Sequence, residues 1–134
     1  MSRPSHLGLR HLALNVRDLA SMKAFYVNLL GFEVEWEPDP DNVYLTSGRD
    51  NLALHRAGAS TGPAPAADGA LDHLGLIVAS AELVDAWAAF LEEHQVTLDM
   101  RPKTHRDGAR SCYFRDPDGN RVQLIHHPPI SGLL

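Results

Sequence analysis

Two histidines 62 residues apart sit in the same local context, Leu9-Arg10-His11-Leu12-Ala13-Leu14-Asn15-Val16 and Leu71-Asp72-His73-Leu74-Gly75-Leu76-Ile77-Val78. A third, His55, follows His11 by 44 residues, and Gln123 follows His73 by 50. Imidazoles meeting on one surface, with a carboxylate or amide oxygen beside them, are the usual means of holding Zn, Fe, Ni, Co or Mn. The candidate metal ligands are therefore His11, His55, His73 and Gln123. A solitary histidine on a strand is more often a hydrogen-bonded or surface side chain than a ligand. Repetition in one context is what moves His11 and His73 toward a metal or substrate role.

The surroundings of these residues repeat as well. At the same interval of 62, Asp18 matches Ser80, Phe25 matches Trp87, Leu29 matches Leu91 and Val34 matches Val96. Self-similarity at a fixed interval signals a duplicated structural unit. In the first copy Leu12, Leu14 and Val16 alternate with His11, Ala13 and Asn15, the period-two pattern of a half-buried strand. Asp18 is placed to cap a helix carrying Leu19, Met22, Phe25, Tyr26, Leu29 and Leu30 at helical spacing, with Gly31 as its stop. Three short strands follow, over residues 32–36, 43–46 and 51–56, separated by the turn-rich segments 38–42 and 47–50.

Residues 57–69, rich in alanine, glycine and proline, read as a linker that could also serve as a flap. The second copy repeats the plan: a strand to Val78, a Ser80-capped helix with Leu83, Val84, Trp87, Phe90 and Leu91, and a strand over 96–100. A polar, basic loop over 101–108 comes next, and the strands 109–115 and 121–127 close into a hairpin at Asp116-Pro117-Asp118-Gly119-Asn120.

If the leucine faces lie under the helices, the opposite faces collect His11, Ala13, Asn15, Asn51, Ala53, His55, His73, Gly75, Ser111, Tyr113 and Gln123. Small residues beside histidines describe a cleft with room for a ligand. Asn15, Ser111 and Tyr113 are its candidate substrate contacts, Tyr113 reading equally as a packing aromatic. His6, His94, His105, His126 and His127 fall outside the pattern and read as solvent-facing or structural.

The 134-residue chain suits one domain over residues 1–134, made of a module at 7–56, the linker at 57–69 and a module at 70–127. Its expected class is α+β: two βαβββ modules forming a curved mixed sheet around a cleft, with helices on the outer face. A net charge of −5 without a Lys/Arg run argues against a nucleic-acid partner. There is no stretch apolar enough to span a membrane and no signal-peptide core. The single cysteine, Cys112, rules out an internal disulfide and suits the cytoplasm.

These motifs resemble the vicinal-oxygen-chelate superfamily of glyoxalase I, extradiol dioxygenases, methylmalonyl-CoA epimerase, fosfomycin-resistance thiol transferases and bleomycin-resistance proteins. The resemblance runs from His11-Leu12-Ala13-Leu14-Asn15-Val16 with Phe25-Tyr26 and Leu30-Gly31-Phe32, through Asp72-His73-Leu74-Gly75-Leu76, to Tyr113-Phe114-Arg115-Asp116-Pro117-Asp118-Gly119-Asn120-Arg121-Val122-Gln123-Leu124. It implies βαβββ modules around a divalent metal, a small-molecule substrate with adjacent oxygens, and a homodimer. Its ligand positions fall on His11, His55, His73 and Gln123, and Tyr113 and Lys103 match substrate-binding positions of the fosfomycin-resistance enzymes. At Gln123 this chain departs from the glutamate of most metal-binding members, which disfavours an extradiol dioxygenase and leaves His55 as fourth ligand or as base. The expected function is a metal-dependent lyase or isomerase of glyoxalase type. The alternative is a metal-free drug- or metabolite-binding protein, with thiol transfer to fosfomycin a minor third reading that loses at Ala13.

Overall fold

The computed structural model describes residues 3–5, 7–57 and 71–132. The chain divides into two compact units, residues 1–63 and 64–134. Unit 1 runs β1 (His11–Val16), α1 (Leu19–Ala24) with a π-helical continuation (Phe25–Leu29), β2 (Glu33–Asp39), β3 (Asn42–Thr46) and β4 (Asn51–Arg56). Unit 2 runs β5 (Leu74–Ile77), α2 (Ala81–Glu93), β6 (Leu98–Thr104), β7 (Arg110–Arg115), β8 (Arg121–His126) and a short α3 (Pro128–Ser131).

Each unit is a βαβββ module with one four-stranded mixed sheet, ordered β1-β4-β3-β2 in the first and β5-β8-β7-β6 in the second. In both, the first strand lies parallel to the last and the remaining pairs are antiparallel. Parallel pairing requires a long crossover, which the helix and the two outer strands supply.

Alternation decides which face is core. In β1, Leu14 and Val16 are buried while His11, Ala13 and Asn15 are exposed. Val43, Leu45, Leu52 and Leu54 join them below the unit 1 sheet, with Met22, Tyr26 and Phe32 from the helical segment and its exit. In unit 2, α2 buries Val84, Ala88 and Leu91 at one helical face, and Cys112, Phe114, Val122 and Leu124 form the sheet side. Burying each such aliphatic side chain contributes about 1.5–3 kcal/mol. Both helices open on the expected caps: Asp18 accepts from the Ser21 amide and Ser80 from the Leu83 amide.

Three expectations change. The first helix is not uniform: after Ala24 it widens, with Leu30 N–H reaching Phe25 O and Phe32 N–H reaching Tyr26 O, and Tyr26 meets Phe32 edge to face at 5.5 Å. The first half of the loop expected at 101–108 is strand, since β6 runs to Thr104 and Lys103 pairs with Ser111 and Thr104 with Arg110. Pro102 disguised it; a residue without an N–H is tolerated because β6 is an edge strand and its register shifts between Met100 and Lys103.

The match of Val34 with Val96 also fails, because α2 outlasts the first helical segment. The left-handed residue that ends each helix is Gly31 (φ 83°) in unit 1 and Gln95 (φ 63°) in unit 2, so Val96 corresponds to Phe32. Helix α3 has no sequence forecast behind it; Pro128 and Pro129 open it, and the Ser131 hydroxyl accepts from the His127 amide at 2.9 Å. Apart from Ala57, the expected linker lies outside the described residues, as does His6.

Candidate functional site

In unit 1, the strand pairing sets His11 beside Asn51 and His55 beside both Asn15 and Asn42. His11 Nδ1 lies 2.8 Å from Asn51 Oδ1, and the amide nitrogen of Asn51 donates in turn to Glu35 at 3.4 Å. His55 Nδ1 lies 2.6 Å from Asn42 Oδ1, and Asn42 Nδ2 donates to both oxygens of Asp39 at 2.9 and 3.1 Å. A carboxylate only accepts, so each asparagine must turn its NH2 toward the acid and its oxygen toward the histidine. Each amide oxygen so placed calls for a proton on the imidazole Nδ1 that faces it.

Aromatic rings extend this face. Tyr44 meets His55 edge-on at 5.7 Å, and Trp36 stacks on Tyr44 at 5.1 Å with 23° between planes. Trp36 is 59% exposed. A bulge between Val34 and Trp36 brings Trp36 opposite Tyr44.

In unit 2, His73 precedes β5 and its Nδ1 lies 2.6 Å from Asp72 Oδ1. That hydrogen bond, aided by the charge of Arg121, holds the Asp72 carboxyl below its ordinary range. Tyr113 stands edge-on to His73 at 5.4 Å, and the Arg121 guanidinium lies 5.5 Å from the Tyr113 ring centre. Gln123 pairs with Gly75 on one side and Tyr113 on the other. Its side chain is buried over the glycine, so that a Cβ at position 75 would lie 3.7 Å from Gln123 Oε1.

Ser111 is fully buried and its hydroxyl sits 2.8 Å from His105 Nε2. Lys103, expected in a loop, is an exposed strand residue opposite Ser111. Unit 2 thus gathers His73, Tyr113 and Gln123 around Gly75, with Ser111 and Lys103 two residues along the ladder. Unit 1 sets His55 beside Asn15, with His11 four residues earlier on β1 beside Asn51.

The register corrects one expectation. Gln123 sits opposite Gly75, two residues after His73; the same place in unit 1, opposite Ala13 and two residues after His11, is held by Ala53. His55 is two residues further on and is not the counterpart of Gln123. Residue counting conceals this, because unit 2 is longer between its first and last strands.

Several participants escaped the sequence reading. Asn42 had been assigned to a turn, yet β3 begins there. Asp72 was the neighbour of His73 in plain view, its role invisible without side-chain geometry. His105 had been set aside as outside the repeat. Among the described residues no three His, Cys, Asp or Glu side chains cluster as a metal site. The donors themselves suit a borderline divalent ion: imidazoles whose Nδ1 is tied to a side-chain oxygen, and an amide oxygen.

Two βαβββ units, with His11 on the exposed face of β1 and His73 just before β5, define a vicinal-oxygen-chelate fold. The chain belongs to the Glyoxalase/Bleomycin resistance protein/Dioxygenase superfamily, whose profile matches residues 8–124. It is 28% identical over 120 residues to biphenyl-2,3-diol 1,2-dioxygenase 3 of Rhodococcus globerulus, covering 87% of this chain and 61% of that enzyme. The chain therefore spans less than two thirds of that relative's length. It is also 28% identical over 117 residues to the metallothiol transferase FosB of Staphylococcus epidermidis, covering 87% and 79% of the two. The crystal structure of lactoylglutathione lyase from Agrobacterium tumefaciens superposes with a TM-score of 0.75 at 25% identity, over 92% of this chain and 96% of that one.

Proposed function

We propose that the protein is a divalent-metal-dependent enzyme of glyoxalase type, a lyase or isomerase acting on a small substrate with vicinal oxygens. His11, His73 and Gln123 are its metal ligands and His55 is its base. The observation that carries this reading is the shared state of the histidines: each Nδ1 is engaged by a side-chain oxygen, Asn51 for His11 and Asp72 for His73, leaving Nε2 to coordinate. The bound ion, Zn, Ni, Fe, Co or Mn, would supply Lewis-acid stabilisation of negative charge on a substrate oxygen. Because two imidazoles and an amide are uncharged, the ion keeps its full charge for an anionic chelating substrate.

His55 is assigned as base rather than fourth ligand because Ala53 occupies the position equivalent to Gln123. Tyr113, Asn15 and Lys103 would contact and orient the substrate, whereas Ser111, expected to do the same, is fully buried against His105. An amide at 123 weighs against an extradiol dioxygenase, whose Fe(II) is ordinarily held by two histidines and one carboxylate. The similarity to FosB keeps thiol transfer as a minor reading.

We also propose a homodimer and a cytoplasmic location. Both rest on family likeness, and the second also on the single cysteine, whose buried thiol is pushed up to about 11 and kept inert. Among the described residues no helix is long and apolar enough to cross a membrane.

Elemental analysis of protein purified without added metal tests the main reading. A bound or restorable divalent ion, lost in His11→Ala and in His73→Ala, supports it; parent and variants alike without metal reject it. A second reading, a metal-free binding protein, gains from the exposed Trp36 stacked on Tyr44, an open platform for a planar ligand. It fails if turnover of any family substrate requires the ion.

A further inference from the structure

On the reading that His55 is the base, we propose that Asn42 and Asp39 are positioning residues that fix its tautomer. The chain Asp39–Asn42–His55 makes Nε2 the only imidazole nitrogen able to accept a proton. Asp39 and Asn42 pair across the two-residue turn Pro40-Asp41 that joins β2 to β3. The turn holds the carboxylate in place: Asp39 Oδ1 accepts from the Asp41 backbone N–H at 2.8 Å as well as from Asn42 Nδ2 at 2.9 Å, and Oδ2 accepts from Asn42 at 3.1 Å.

An inverted Asn42 amide would set its oxygen against two carboxylate oxygens, so the amide has one tenable orientation. Its Oδ1, 2.6 Å from His55 Nδ1, then demands a proton on Nδ1. Rotation of the ring is restricted on another side by Tyr44, edge-on at 5.7 Å. Such a bond to the far nitrogen is how catalytic histidines are held in their working tautomer.

The relay answers a problem the register poses. Where the second unit carries Gln123, the first carries Ala53, so neither of these equivalent positions offers a carboxylate to take a proton from carbon. His55, two residues beyond Ala53, is the titratable group on the same strand face. In the step it would perform, a substrate C–H bond adjacent to a carbonyl breaks, the proton forms a bond to His55 Nε2, and the electron pair passes onto the carbonyl oxygen. Where the carbon that lost the proton carries a hydroxyl, returning that proton to the former carbonyl carbon, while the hydroxyl proton passes to the other oxygen and the new carbonyl forms, completes an isomerisation with no external reactant.

The test is long-range 1H–15N correlation NMR on the uniformly 15N-labelled full chain, with the His55 signals identified by their loss in His55→Gln. The proposal expects an Nδ1-protonated ring with Nε2 in the downfield range of an unprotonated nitrogen. Asn42→Ala should lose that pattern and shift toward Nε2–H, while Asn42→Asp, which keeps an oxygen acceptor, should restore it. Thermal melts confirm that each variant is folded, and Asp39→Asn should loosen the tautomer without unfolding. A wild-type ring protonated on Nε2, or an Asn42→Ala spectrum unchanged from wild type, overturns the relay. The readout needs no metal and no substrate, so the relay can stand if the enzyme reading fails, and fall while that reading stands.

Discussion

The histidines of the two units are held differently. In unit 1, asparagines lie between imidazole and acid, Asn51 between His11 and Glu35 and Asn42 between His55 and Asp39; in unit 2, Asp72 touches His73 directly. The edge strands diverge in charge too. β2 carries four acidic residues and no basic one, whereas the equivalent β6 carries two basic residues and one acidic. The hydrophobic side of the duplicated plan is kept almost residue for residue, as Leu54 and Leu124 show, each buried at the same place in its last strand.

The lesson is a division of labour. Core residues specify the βαβββ unit twice, and the open faces are free to diverge, one toward amide-held imidazoles and aromatic rings, the other toward a carboxylate-held imidazole and guanidinium groups. Charges on exposed edges act over only about 8 Å at physiological salt, so they guide a ligand rather than anchor it.

Substitutions can sharpen this contrast, starting with the largest effect. Removing a proposed ligand, His11→Ala or His73→Ala, should weaken divalent-metal affinity more than about 100-fold, beyond what loss of a ligand's hydrogen-bond partner causes, as read by calorimetry or competition with a chelator. Equal loss from both would mean the units contribute symmetrically; loss from one alone would break the comparison. Next, Leu54→Ala and Leu124→Ala should each cost about 2–5 kcal/mol in denaturant unfolding, because both open cavities in closely packed faces.

A smaller effect separates the second shells. Asp72→Asn and Asn51→Ala should each reduce metal affinity about 10–100-fold. Asp72→Asn keeps an oxygen that can accept from His73 while removing the charge, so its effect isolates what the carboxylate adds over the amides of unit 1.

Smallest is the contrast between helix caps. Ser80→Ala should cost about 1 kcal/mol at any pH where the protein is folded. The Asp18 cap should titrate. Its carboxyl is held below the ordinary range by the Ser21 hydroxyl first and the Ser21 amide second, so its contribution is full above the unfolded carboxylate pKa. That contribution fades as pH falls through the lowered folded value. Thermal melts of wild type and Asp18→Asn from neutral to acid pH should converge, whereas those of wild type and Ser80→Ala should stay parallel.

Much of this was legible in the sequence because alternation is a strong signal. The strand at Asn51–Arg56 and the hairpin ending in β8 follow directly from leucines and valines every second residue. The second half of β6 was not legible, since Arg101, Pro102 and Lys103 look like loop until the edge position and register shift are seen. Of the candidate site, the residue types of His11, His55, His73 and Gln123 could be named, but their equivalence could not. Whether Ala53 or His55 matches Gln123 is a question of register, and register depends on how strands far apart in sequence align. The partners Asn42, Asn51 and Asp72 were hidden for the same reason, as hydrogen bonds between side chains leave no periodic trace.

The central claim is that the imidazoles of residues 11 and 73 serve one divalent ion together with the amide of residue 123. Crystals grown with zinc or nickel, measured on both sides of that metal's absorption edge, test it most directly. The account predicts an anomalous peak about 2.0–2.2 Å from His11 Nε2, His73 Nε2 and Gln123 Oε1, whether the residues come from one chain or from two. A peak on other residues, or none at saturating metal, would contradict it.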